Sequence, residues 1–93
     1  MKAMYMYLVE QAAEALKKRR IALGLKQSDV ASMAGISLST LRKFEQKGGI
    51  SLERFFKLCH VYKMENQIVA ALEQRDFWTL EQMKRADLKR IVR

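Results

Sequence analysis

Proline is absent from this chain, and glycine occurs only four times. With so few breakers, the backbone has little reason to leave helical geometry except at short turns. One cysteine, Cys59, excludes an internal disulfide and fits a reducing, cytoplasmic setting. No apolar run approaches the roughly 18 residues that a membrane span requires. The apolar opening stretch, Met1 to Leu8, holds one lysine and is cut short by Glu10 and Glu14, which argues against a signal peptide. Histidine also occurs once, as His60 beside Cys59, so the two would point in different directions from one helix. No further Cys or His exists to complete a metal site, so neither a metal nor a cofactor is expected. A glycine-rich phosphate loop, an HExxH pattern and a GxSxG elbow are all missing, and the chain does not read as an enzyme.

What is present points elsewhere. Ninety-three residues suit one compact domain. The apolar residues are mostly Leu, Ala, Met, Phe and Ile, with few β-branched runs, so the fold class reads as all-α. Lysine and arginine number 18 against 10 acids, a net charge of +8. The excess lies in residues 1–50 and 77–93, with a balanced stretch between them. Localised basic surfaces of this kind attract polyanions, nucleic acid first and anionic membrane second.

Periodicity and caps place five helices. The first covers about Tyr7 to Leu23, with Val9, Ala12, Ala13, Leu16 and Arg20 on one face and Gly24 ending it. The second covers about Gln27 to Ala34, with Val30, Ala31 and Ala34 inward, and Gly35 supplies the turn. The third starts behind Ser37 and ends near Lys47, before Gly48-Gly49. A fourth starts behind Ser51 with Leu52, Phe55, Phe56, Cys59 and Tyr62 as its apolar face. The fifth covers about Glu65 to Arg75, with Ile68, Val69 and Leu72 inward. Residues 79–90 suit a further helix with Leu80, Met83 and Leu88 apolar.

Two short helices joined by a glycine-bearing turn make the geometry of a helix-turn-helix. The third helix sorts its residues by side. Leu41 and Phe44 face inward, three apart, while Ser39, Arg42, Lys43 and Gln46 fall opposite them at i, i+3, i+4 and i+7. That outer side holds no acid and no large apolar group. Its donors suit guanine edges and phosphates, and Gln46 suits adenine.

These residues also carry a resemblance. An arginine ahead of Gly24-Leu25, then Gln27, Val30-Ala31, Gly35-Ile36-Ser37, Thr40-Leu41, Phe44-Glu45 and Gly48 resemble the repressor/Cro type of helix-turn-helix, the Xre family, over about residues 8–73. The resemblance implies a compact five-helix repressor-like bundle and a transcriptional repressor that binds a palindromic operator as a homodimer on double-stranded DNA. It implies that Gln27 touches a phosphate and braces the recognition helix. Ser37 is implied as that helix's cap, Leu38, Ser39 and Lys43 as base contacts, and Thr40 as a backbone contact. Arg42, beside them, reaches either a base or a phosphate, and Lys47 closes the same surface. Arg20 and Glu45 match a structural salt bridge between the first and third helices.

Two residues depart from the family pattern. Lys26 stands where a capping Thr, Ser or Asn is usual, and it can meet a phosphate instead. Leu38 stands at a commonly polar position, where it either meets a thymine methyl or tucks against the turn. Residues 1–76 then form the DNA-binding domain, and 77–93 a basic tail, helical or extended, for packing or dimerisation. Phe77-Trp78, Leu80 and Met83 in that tail alternatively suit a partner protein, as in the toxin-pairing HipB-like antitoxins. A protein-binding module is accordingly the rival function to a DNA-binding regulator.

Overall fold

A computed structural model describes residues 2–74. They form five α-helices and no strand: α1 Met4–Ala22, α2 Gln27–Ala34, α3 Leu38–Lys47, α4 Leu52–Val61 and α5 Glu65–Glu73. The expected tail of residues 77–93 and its further helix lie outside the described residues. Among the described residues, no helix is long and apolar enough to cross a membrane.

The caps act as the sequence suggests. The Ser37 hydroxyl accepts from the Thr40 amide at 3.0 Å, and the Ser51 hydroxyl from the Arg54 amide at 3.1 Å. Each satisfies one of the orphan donors at a helix start. Gly35, at φ 71°, turns the chain between α2 and α3, and Gly48, at φ 90°, ends α3 with its amide on the Phe44 carbonyl. Both angles belong to the left-handed region that glycine enters without a Cβ penalty. Lys26 opens α2 with no side-chain cap bond, because an ammonium has nothing to accept with.

The core sits where α1, α2, α3 and α4 converge. Ala13 and Leu16 enter it from α1, Val30, Ala31 and Ala34 from α2, Leu41 and Phe44 from α3, and Leu58, Cys59 and Tyr62 from α4 and its end. Small residues on α1 and α2 let the helices approach closely. Phe44 and Leu58 supply the bulk, each such side chain contributing about 1.5–3 kcal/mol by leaving water.

Three expectations need correction. The first helix begins at Met4 rather than Tyr7, because Ala3 caps it with no side-chain bond that a sequence pattern could betray. On α4, Leu52 stays 71% exposed, whereas Leu58, absent from the expected face, is fully buried. Phe55, Leu58, Cys59 and Tyr62 follow the i, i+3, i+4, i+7 rule and form the true stripe. Leu52 belongs to the first turn, outside that packing. On α5, Val69 and Leu72 are exposed, and only Ile68 packs on the core. The α4–α5 junction is closed by Lys63 at φ 57°, with the Met64 amide on the Cys59 carbonyl at 2.8 Å. Only one edge of α5 therefore meets the bundle.

Tyr62 is 2% exposed, and its hydroxyl has no hydrogen-bond partner among the described residues. Burial, reinforced by the Glu45 carboxylate, pushes its pKa up to about 12. The folded state thus holds the phenol proton more tightly than the unfolded chain does. The resulting stabilisation is complete below pH 10 and is lost as pH rises from about 10 to about 12. At neutral pH, Tyr62→Phe is expected to be neutral or stabilising by up to about 1 kcal/mol, since it removes an unsatisfied buried group. Melting curves from pH 8 to 12 should show a shallower alkaline decline in the variant. An equal decline in both proteins would remove Tyr62 as its source.

Candidate nucleic-acid interface

α3 is held from beneath by an ionic lock. Arg20, on α1, donates from Nε to Glu45 Oε2 at 2.8 Å and from Nη2 to Oε1 at 3.0 Å. Its Nη1 donates to the Leu25 carbonyl at 3.0 Å, which fastens the turn ahead of α2. Gln27, from the first turn of α2, adds Nε2 to Glu45 Oε1 at 2.9 Å. One carboxylate thus ties α3 to both other helices. The Arg20 and Glu45 side chains are 13% and 3% exposed, so solvent screens the pair little. Hydrogen bonding to Glu45 raises the Arg20 pKa, against the opposing effect of burial. The sequence implied the pair only through a family resemblance. That Gln27 joins the same carboxylate gives its bracing role a definite partner.

With its inner side fixed, α3 presents its outer side to solvent. Ser39, Arg42, Lys43, Gln46 and Lys47 are all exposed. Lys26 is exposed at the start of α2. None of the four cations in this set, Lys26, Arg42, Lys43 and Lys47, has an ion-pair partner among the described residues. Among the described residues, no anion is engaged by these four cations.

The remaining expected site residues are arranged around the start of α3. Ser37 donates from its hydroxyl to Thr40 Oγ1 at 2.7 Å and lies 3.2 Å from Ser39 Oγ. Three hydroxyls are therefore linked at the end of the helix that favours anions. Leu38 is half-buried and packs against the core. Gln27 is half-buried with its amide nitrogen engaged. The two therefore stand apart from the exposed set.

The helix-turn-helix family model matches residues 16–65, which runs from the core-facing Leu16 of α1 to the start of α5. No curated protein and no solved structure gives a significant match to the chain.

Proposed function

This chain belongs to the Xre-like helix-turn-helix family of DNA-binding regulators, and on that premise we propose that it is a sequence-specific repressor working as a homodimer. Each subunit lays α3 in the major groove of a palindromic operator. The half-sites lie about one helical turn, roughly 34 Å, apart. The observation that carries this reading is the two-sided character of α3. Leu41, Phe44 and Glu45 are buried, while Ser39, Arg42, Lys43 and Gln46 are exposed, with no ion pair on Arg42 or Lys43 among the described residues.

Affinity and preference have different sources. Lys26 and Lys47 flank the face and neutralise phosphates, releasing counterions and giving affinity that falls with salt. Arg42, Lys43, Ser39 and Gln46 reach base edges and set the preference. Thr40 and the Ser37 cap place the helix end against the backbone. Leu38, packed on the core, shapes the turn and offers its remaining apolar edge to a thymine methyl. Repression follows from occupying DNA that polymerase needs.

Selection from random duplexes tests the reading, with a palindromic consensus as the expected result. Binding without any consensus that vanishes at moderate salt would refute it. Lys43→Ala is expected to cost about 1–3 kcal/mol on the selected site and to relax preference at one base position. Equal loss on all sequences, with a smaller salt slope, would reassign Lys43 to a phosphate.

A further inference from the structure

The first half of α1 is apolar on every side. Met4, Tyr5, Met6, Tyr7, Leu8 and Val9 are consecutive, and successive helical residues point about 100° apart, so together they circle the axis. Each is between 40% and 72% exposed. A helix that is apolar all round is normally buried on several sides. Here the bundle covers little of it: Val9 rests on the end of α3 at Gly48, and full burial on α1 begins only at Ala13.

Beside this segment lies a cleft of about 230 Å³, walled by Val9 and Phe44 and by Ile50, Leu52 and Phe55 around the start of α4. A second cleft of about 180 Å³ shares Val9 with it and is otherwise lined by Tyr5, Met6, Glu10, Lys47 and Gly49. Leu52, the residue that failed to enter the core, faces the larger cleft. A projecting apolar helix end therefore adjoins an apolar hollow, the larger cleft, with Glu10 and Lys47 in the lining of the smaller one.

We propose that this surface is where a second copy of the chain docks about a two-fold axis, each α1 end seated in the hollow beside the other's α1. Such an interface is isologous, and it requires knob and hollow on the same patch. The exposed area fits that partner. The six side chains and Leu52 together expose several hundred Å², on the order of the ~800 Å² that each partner gives to a standard interface. The charge also fits. Two chains of +8 repel, yet residues 3–9 carry no charged side chain. The flanking Lys2 is already neutralised by Glu10 at 2.6 Å. The apolar face of α5 is smaller, with Val69 and Leu72 its exposed large hydrophobics.

The proposal rests on the homodimer reading above and gives it a mechanical link. A Cβ on Gly48 would lie 2.5 Å from Val9 Cγ1, so α1 rests directly on the end of α3. Joining two α1 ends then fixes the separation of two recognition helices.

Sedimentation velocity on the full chain, from about 1 to about 100 µM, tests this. The wild type should pass from monomer to dimer across that range. Leu8→Glu and Tyr5→Glu, both at exposed positions, should raise the dimer dissociation constant at least about tenfold while keeping the helical circular dichroism. Leu72→Glu, equally exposed on α5, should leave association unchanged. A wild type that stays monomeric throughout, or Leu8→Glu and Tyr5→Glu proteins that still dimerise, would overturn the proposal. So would dissociation by Leu72→Glu alone. A duplex of about one turn, too short for two copies, separates this from the DNA reading. Leu8→Glu should bind it as well as the wild type does. If neither binds it while the dimer results hold, the interface stands and the DNA reading falls.

Discussion

Glu45→Ala is expected to lower the unfolding free energy by about 3–5 kcal/mol, the cost of stranding a buried charge. The argument rests on what remains behind. Arg20 stays largely enclosed, keeps only the Leu25 carbonyl as a partner among the described residues, and cannot shed its proton. Gln27 loses its acceptor as well. Domains of this size have total stabilities of about 5–15 kcal/mol, so the loss is a large share of the whole. Urea titration followed by circular dichroism measures it. The double variant Arg20→Leu, Glu45→Leu supplies the contrast. Replacing both charges by apolar groups should recover most of the stability, because neither ion is then left unpaired. Recovery of folding without recovery of DNA affinity would show that the lock aims α3 as well as stabilising the bundle. If Glu45→Ala costs less than about 1 kcal/mol, the pair behaves as an ordinary surface salt bridge and does not anchor α3.

Phe44→Ala should cost a similar amount, about 3–5 kcal/mol, by a different route. Phe44 is 2% exposed and meets the Phe55 ring edge-on, with centroids 6.4 Å apart. It also walls the cleft beneath Val9. Truncation removes that ring contact and merges the vacated space with the cleft, so the site opens to water rather than collapsing. A midpoint lower by about 12 °C or more follows, at about 4–8 °C per kcal/mol for a domain of this size. Phe44→Leu keeps most of the volume and should recover more than half of the loss. Phe44 touches no proposed DNA partner. Its effect on DNA binding should therefore vanish at low temperature, where the variant remains folded, whereas that of Lys43→Ala should persist.

Much of this architecture could be read from residue types because the turns use chemistry with few alternatives. Gly35, left-handed, ends α2, Ser37 and the left-handed Gly48 bound α3, and Ser51 caps α4, with the inward residues of α2 and α3 as expected. What escaped was set by partners distant in sequence. Leu52 and Leu58 are both leucines in one amphipathic helix, and only the placement of neighbouring helices decides which is covered. Val69 and Leu72 on α5 look inward by spacing, but nothing in the spacing reveals that α5 touches the bundle along one edge. Lys63 at a positive φ replaces the usual glycine signal with none. At the interface, the outward set on α3 follows from its period alone, since the buried Leu41 and Phe44 fix the opposite side. The engagement of Gln27 with Glu45 does not follow, because polar side chains on different helices leave no mark on periodicity.

The separation of roles along α3 bears on how such a protein diversifies. Glu45 and Phe44 hold the helix, while Ser39, Arg42, Lys43 and Gln46 are exposed to solvent. Substitutions at those four positions leave the scaffold's ledger of contacts almost untouched, since exposed changes typically move stability by no more than about 0.5 kcal/mol. On the proposed DNA reading, gene duplicates could drift to new operators by changing this face alone, and an engineer could transplant another regulator's outer residues onto the same frame. The anchoring carboxylate is what makes the surface interchangeable.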